Sequence, residues 1–181
     1  MFENYEFERK LRDACLSDIH QTPEIMQQLF DWINSGKNML YFCGNVGNGK
    51  SYFASAYKNS LTEKKKHYRC YNEAHFMNEM KMCIDKPDWP PEYRLKTICE
   101  APILIYDDMG SVFCTEKNKS DWVKGLLFQL LDFRYSSGLP TLITSNLCKR
   151  EIQEIFHERF ADRLYAKENT IIEVHEESRR K

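Results

Sequence analysis

Eight consecutive residues, Gly44-Asn45-Val46-Gly47-Asn48-Gly49-Lys50-Ser51, fit the pattern G-x-x-x-x-G-K-[ST] at every fixed position. The chemistry of that pattern is phosphate binding. Glycines let successive backbone N–H groups turn inward around phosphate oxygens, and a helix that follows points its positive end at the same anion. Lys50 adds a cation at the β- and γ-phosphates, and the Ser51 hydroxyl is placed for Mg²⁺. Tyr52 closes the segment. A Gly-rich turn ending in a surface lysine is the plain alternative. Against it, three of the chain's seven glycines fall within these eight residues, between an apolar run and a helical pattern. The expected ligands are ATP or ADP with Mg²⁺.

A second chemical feature lies downstream. Ile103-Leu104-Ile105-Tyr106 is an apolar run that ends in Asp107-Asp108. In a protein with such a phosphate loop, Asp107 is expected to hold Mg²⁺ with Ser51. Asp108 is expected to orient or deprotonate the attacking water. Asp108 is one methylene shorter than the Glu common at this position, which is expected to leave binding intact and to slow turnover. A third run, Pro140-Thr141-Leu142-Ile143-Thr144-Ser145-Asn146, also ends in polar residues. If it lies beside the Asp107 strand, Asn146 reaches the γ-phosphate or the attacking water, with Thr144 the second candidate. Arg159 and Arg163 are spaced i, i+4 and share a helix face. They either pair with Glu158 and Asp162 at the surface or supply a finger to a neighbour's nucleotide.

These residues need a scaffold that brings the ends of several strands together. Thr22-Pro23-Glu24 is a helix start, with a capping hydroxyl, a proline in the first turn and an acid at the positive end. Ile25, Leu29 and Ile33 share one face with Met26 and Phe30 nearby, and Gly36 stops the helix. Met39–Cys43 is expected to be a buried strand, followed by a helix from Gly49 to about Asn59. His67–Tyr71 is a second strand and Glu73–Ile84 a helix, broken by Pro87, Pro90 and Pro91. The run Lys64-Lys65-Lys66 just before that strand fits a solvated turn. Glu92–Cys99 is a further helix, Ile103–Tyr106 a strand, and Asp121–Ser137 a helix with Leu126, Leu127, Leu130, Leu131, Trp122 and Val123 along a broad stripe. Leu142–Thr144 is a fourth strand. Helices at about 149–155 and 157–166 and a last strand, Thr170–Val174, complete the order. Helices alternating with strands that are apolar on both faces indicate a three-layer α/β fold with a parallel sheet of five strands.

Composition narrows the class. The 181 residues carry 26 Lys+Arg against 27 Asp+Glu, a net charge of -1, which excludes a chain that coats nucleic acid by bulk charge. Seven cysteines, at 15, 43, 70, 83, 99, 114 and 148, form no C-x-x-C pair. Scattered thiols in odd number suit a reducing compartment, where they act as small hydrophobes. Met1-Phe2-Glu3-Asn4-Tyr5 lacks a basic, then apolar, leader. No apolar run approaches the roughly 20 residues that cross a bilayer. The expectation is a cytoplasmic protein with all thiols free and no membrane partner.

Together the motifs resemble those of AAA+ ATPases of the DnaC/DnaI helicase-loader and IstB transposition-helper group. Tyr106-Asp107-Asp108-Met109-Gly110 is similar to that group's I-D-[DE]-hydrophobic-G. Phe133-Arg134-Tyr135, followed by Pro140-Thr141 and Thr144-Ser145-Asn146-Leu147, resembles its aromatic-R-Y…P-T…T-S-N-L. Phe2-Glu3-Asn4-Tyr5 resembles the segment that leads into the ATPase domain of DnaC-type loaders. The likeness spans about Phe2 to Glu177.

The resemblance implies one P-loop NTPase domain of AAA+/ASCE type over 1–181: an N-terminal segment and helix (1–37), a P-loop core (38–175) and a tail (176–181). That tail is too short for a helical lid. It implies that Asn146 is the sensor-1 residue and Arg163, in Asp162-Arg163-Leu164, the arginine finger, with Arg159 the runner-up. Residues Glu73–Cys99 resemble the insertion that contacts single-stranded DNA, with Lys81, Lys86 and Arg94 as cations and Trp89 and Tyr93 as stacking platforms. The implied activity is a slow ATPase, stimulated by assembly or DNA, that forms a homo-oligomer through its nucleotide interfaces. Its implied partner is a replicative helicase or another replication protein. A transposition helper, and a nucleotide-dependent module that regulates a resident loader or initiator with little hydrolysis, are the alternatives. The second is favoured by Asp108 and by a chain that starts at the ATPase boundary, without the domain loaders use to grip the helicase.

Overall fold

The computed structural model describes residues 4–84, 86–112 and 121–174. Phe2, Glu3, Cys114 and the tail 176–181, singled out above, lie outside the described residues. Five parallel strands form one sheet: β1 (Met39–Gly44), β2 (Arg69–Asn72), β3 (Leu104–Met109), β4 (Thr141–Ser145) and β5 (Thr170–Val174). Their spatial order is β2-β3-β4-β1-β5. The strand that follows the longest helix therefore lies between the phosphate-loop strand and the Asp107 strand. The described helices are α1 (Pro23–Ser35), α2 (Lys50–Glu63), α3 (Glu73–Met82), α4 (Pro91–Cys99), α5 (Asp121–Ser136), α6 (Lys149–Phe156) and α7 (Glu158–Leu164).

Alternation along β1 builds both halves of the core. Met39, Tyr41 and Cys43 face a cluster with Phe76, Met80, Leu127, Leu130 and Phe160. Leu40 and Phe42 face the other way, against Leu29, Trp32, Phe53 and Tyr57. Because both faces are covered by helices, every residue from Met39 to Cys43 is buried. This is why the strand reads as a continuous apolar run rather than an alternating one.

The helix α1 begins and ends on the expected signals. The Thr22 hydroxyl accepts the Ile25 N–H at 3.4 Å, and Gly36 takes a left-handed conformation with φ 59° that an L side chain resists. Its buried face is not the one expected in every detail. Leu29 and Trp32 are buried, whereas Phe30 is 37% exposed. Likewise α2 extends past Asn59 to Glu63.

The N-terminal segment seals two exposed features of this scaffold. Tyr5 N–H donates to the Cys70 carbonyl at 2.8 Å and Asn4 Oδ1 accepts the Cys70 N–H at 3.0 Å, so the free edge of β2 is covered. Further along, Ser55 and Asn59 of α2 donate to the carbonyls of Leu11, Arg12 and Ala14. A covered edge cannot recruit a strand from another chain. Among the described residues, no helix is long and apolar enough to cross a membrane. The six described cysteines are all free.

Candidate functional site

The phosphate loop turns away from the sheet at Gly44. Its φ of 139°, and a position where a Cβ would run into the Val174 carbonyl, leave room for no other residue. Gly47 and Gly49 also take positive φ. The loop closes on the N-terminus of α2, whose first residue is Lys50. Gln21 braces the loop from outside, donating to the Asn48 carbonyl at 2.7 Å. Lys50 Nζ lies inside the loop, donating to the carbonyls of Gly44 at 2.8 Å and Asn45 at 2.7 Å. Asn45 and Val46 are exposed at its crest.

Strand β3 delivers the two acids with help from a register irregularity. Tyr106 pairs with Ile143 and Met109 with Ser145, so one extra residue is inserted opposite β4 at Asp107–Asp108. Such a bulge re-aims side chains at the end of a strand. Here Asp107 is buried, and Asp108 takes a φ of 58° and lies half-exposed. Gly110 follows with φ 90°, and the Glu73 carboxylate holds this turn by accepting the N–H groups of Gly110 at 2.8 Å and Val112 at 2.6 Å.

Burial pushes the Asp107 carboxyl up to about 6, and the neighbouring Asp108 charge adds to it. Hydrogen bonds from Thr144 and Ser51 and the charge of Lys50 offset part of that rise. Thr144 Oγ1 donates to Asp107 Oδ1 at 2.6 Å and accepts the Asp108 N–H at 2.9 Å. Asn146, at the exposed end of β4, donates to Asp108 Oδ1 at 3.3 Å.

These groups open onto one cavity of about 430 Å³. It is lined by the loop from Val46 to Tyr52, by Asp107, Asp108, Thr144 and Asn146, and by Tyr5, Phe7 and Asn72. The phosphate loop, the acid pair and both polar-strand candidates therefore meet. Asn72 was missed from the sequence. It is the polar residue that ends β2, opposite Asp107 in register, and the pattern that singled out Asn146 would have found it. Tyr5 and Phe7 carry no such signal, because their place depends on how the N-terminal segment folds back.

The donor set fits Mg²⁺. A buried carboxylate and a hydroxyl that interact with each other, next to a second carboxylate, offer hard oxygen ligands. Among the described residues no group of three or more His, Cys, Asp or Glu forms a metal cage. The remaining ligands of the ion must then come from water and phosphate, the usual arrangement for Mg²⁺.

One expectation is corrected by the structure. Arg94 is not an exposed cation for DNA. It is 4% exposed, ion-paired with Glu79, and donates to Tyr71 Oη and Thr97 Oγ1. An arginine so engaged ties α4 to α3 and β2. Arg163 lies away from the cavity. Its carbonyl accepts from Asn169, whose Oδ1 accepts the N–H of Met39 at the start of β1, the opposite end from the phosphate loop. Its guanidinium donates to Asp132 Oδ1 at 2.6 Å and stacks over Tyr135. Arg159 lies beside Phe128, Phe156 and Phe160, also outside the cavity. Of the other proposed DNA contacts, Lys81, Lys86, Trp89 and Tyr93 are exposed, and the two aromatic rings meet edge to face at 5.4 Å.

The family model described as "IstB-like ATP binding protein" matches residues 1–181. The replicative helicase loader DnaI of Bacillus subtilis is 28% identical over 138 residues, 73% of this chain and 42% of the relative. The replicative helicase loader DnaC of Escherichia coli K12 is 25% identical over 163 residues, 90% of this chain and 62% of the relative. The chain thus spans about half the length of these curated relatives. A crystal structure of the DnaC helicase loader superposes with a TM-score of 0.74 at 21% identity, covering 92% of this chain and 99% of that one, a likeness of fold.

Proposed function

The chain belongs to the IstB-like ATP binding protein family, in the AAA+ group of the DnaC and DnaI loaders, and on that premise we propose that it is a nucleotide-dependent accessory ATPase of DNA replication. The observation that carries this reading is the meeting of the phosphate loop, Asp107, Asp108, Thr144 and Asn146 on one cavity of about 430 Å³. ATP or ADP enters with its phosphates in the loop. Lys50 exchanges the carbonyls of Gly44 and Asn45 for phosphate oxygens. Ser51 and Asp107 hold Mg²⁺, which neutralises phosphate charge when bound. Asp108 orients or deprotonates the attacking water, Asn146 contacts the γ-phosphate side, and Thr144 keeps the two acids aligned. Hydrolysis is slow in the isolated chain and stimulated by assembly or DNA, with Arg163 acting on a neighbouring subunit's nucleotide.

The cytoplasmic partners in this reading are a replicative helicase or another replication protein, a second copy of the chain, and single-stranded DNA. Trp89 and Tyr93 supply base-stacking faces and Lys81 and Lys86 supply charge. A second reading, a regulatory module with little hydrolysis, draws on Asp108. Its short side chain already accepts a hydrogen bond from Asn146 at 3.3 Å, which occupies one of its oxygens. A transposition helper remains the alternative partner class within the same family.

The test is a thermal shift with Mg-ATP. At ligand about 100-fold above Kd, stabilisation should be about 2.7 kcal/mol. Lys50→Ala should abolish most of it. A wild-type melting curve indifferent to Mg-ATP overturns the proposal.

A further inference from the structure

A second polar cleft opens at the opposite end of β2 from the phosphate loop. It has a volume of about 670 Å³ and is lined by Asn4, Lys65, Lys66, His67, Arg69 and Thr97, with Tyr68 and Glu100 on its walls. The four residues of β2 separate it from Asn72 in the nucleotide cavity, about 10 Å along the strand. The nucleotide site and this cleft are thus distinct surfaces.

The run Lys64-Lys65-Lys66, which on sequence grounds fits a solvated turn, is held in a fixed conformation. The Lys64 N–H donates to Ser60, Lys65 to Thr62 and Lys66 to the Leu61 carbonyl, and Lys65 takes a φ of 52°. The Thr62 hydroxyl and Tyr68 Oη lie 2.8 Å apart, and the Arg69 N–H is bonded to Ile103. This backbone presents its side chains without a further cost of ordering the loop. Lys65, Lys66 and His67 are exposed and Arg69 is half-exposed. Among the described residues, none of Lys65, Lys66 and Arg69 enters an ion pair. The one acid lining the cleft, Glu100, is turned to Lys96 at 3.8 Å. A chain of net charge -1 thus gathers three cations and a histidine at one cleft.

The flank of the cleft gives it a direction. Helix α4 carries Thr97 on the cleft and Tyr93 one turn away, beside Trp89. An extended polyanion lying along α4 meets exposed aromatic faces at one end and unpaired cations at the other. Alternating stacking and charge is what a nucleic acid strand offers and what an acidic peptide does not.

From this we infer that the cleft between the end of α2 and the end of α4 holds the phosphate backbone of single-stranded nucleic acid, with Lys65, Lys66 and Arg69 as its contacts. The inference rests on the nucleic-acid part of the function proposed above and adds a site to it.

The experiment measures binding of a fluorescent oligo(dT) by anisotropy across a salt series, with the full chain as the wild type and in three variant forms. For the wild type, log affinity should fall linearly with log salt. In Lys65→Ala/Lys66→Ala/Arg69→Ala the slope should become shallower by about 2, since each phosphate contact contributes about 0.7. Affinity at low salt should drop at least tenfold. Lys65→Glu/Lys66→Glu, confined to exposed positions, should weaken binding further while leaving the melting temperature unchanged. The third form, Trp89→Ala/Tyr93→Ala, separates the two surfaces. If it loses binding while the cleft variants retain wild-type affinity and slope, the cleft inference is overturned and the aromatic surface stands. If the wild type binds polyglutamate as well as oligo(dT), the cleft is an acidic-protein site and the inference is overturned. No wild-type binding at low salt overturns both readings of DNA contact, while the Mg-ATP thermal shift still reports on the nucleotide site.

Discussion

Thr144 and Asp107 are joined by a 2.6 Å hydrogen bond in which the hydroxyl donates to Oδ1, and Thr144 Oγ1 in turn accepts the backbone N–H of Asp108. One side chain of β4 therefore fixes both acids of β3, across the bulge that inserts them. Thr144→Val keeps the shape and removes both bonds. The half-buried Asp108 N–H is left without its acceptor, a loss of about 0.5–1.5 kcal/mol. Chemical denaturation should show that loss, and calorimetry should show weaker Mg-dependent nucleotide binding. A variant as stable and as tight-binding as the wild type would mean that the bulge alone positions the acids.

Asp107 makes stability depend on pH in a defined direction. Its carboxyl is raised to about 6 in the folded protein, above its ordinary value of 3.8. The folded state therefore holds the proton more tightly than the unfolded state. The stabilisation is fully present below the ordinary value and is lost as pH rises through about 6, amounting to about 2–3 kcal/mol for this near-fully buried group. Without nucleotide, Asp107→Asn should raise the melting temperature at pH 7.5 and have little effect near pH 4. Mg-nucleotide affinity of the wild type should weaken as pH falls through about 6, because the proton competes with the metal. An Asn variant that is destabilised at both pH values would contradict this assignment.

Much of this arrangement is legible in the sequence, because apolar runs ending in polar residues mark strand ends. The runs at Met39–Cys43, Ile103–Tyr106 and Leu142–Thr144 are the strands that deliver Lys50, Asp107 and Thr144 to one cavity. Other features depend on contacts distant in the chain. The bulge at Asp107–Asp108 leaves no mark in the hydrophobic pattern, since the extra residue is one of the polar pair. The burial of Arg94 requires Glu79, fifteen positions away on another helix, and an isolated arginine next to two exposed aromatics looks like a surface cation. The path of Tyr5 and Phe7 over the cavity is set by bonds to Cys70 and α2.

Arg134 shows how a recognisable motif residue serves the fold rather than the chemistry. It is fully buried and donates to the carbonyls of Cys99, Ala101 and Pro140 and to Thr141 Oγ1. It thereby pins the end of α4 and the start of β4 to the end of α5. Burial lowers the pKa of its guanidinium to about 10, which still leaves it charged at neutral pH. Arg134→Met should cost about 3 kcal/mol or more, since three carbonyls lose their donor and each buried one left unsatisfied costs about 1–3 kcal/mol. Arg134→Lys, with a single point of donation, should recover only part of it. Denaturant melts check both, and a loss below about 1 kcal/mol for Met would show that water replaces the guanidinium.

The last prediction separates two roles for Arg163. Its ion pair with Asp132 is close to half exposed on both sides, 42% and 39%, so the pair contributes at most about 1 kcal/mol. The site is at the far end of the sheet from the chain's own phosphate loop, and Tyr135 stacks beneath the guanidinium. A guanidinium placed there contributes to hydrolysis only when a second subunit brings its nucleotide to it, and Asp132 then competes for the same donors. Arg163→Ala should leave folding and nucleotide affinity nearly unchanged and reduce ATPase activity and nucleotide-driven assembly together. Asp132→Asn removes the competitor and keeps the arginine, so activity in the assembly should be retained or increased. If Arg163 serves only the ion pair, the two variants behave alike. Mixing Arg163→Ala with Lys50→Ala gives a second readout. Each is inactive alone, but a mixed assembly sets an intact phosphate loop of one subunit against an intact arginine of the other, and activity should return. No recovery in mixtures shown to co-assemble would confine Arg163 to its own subunit.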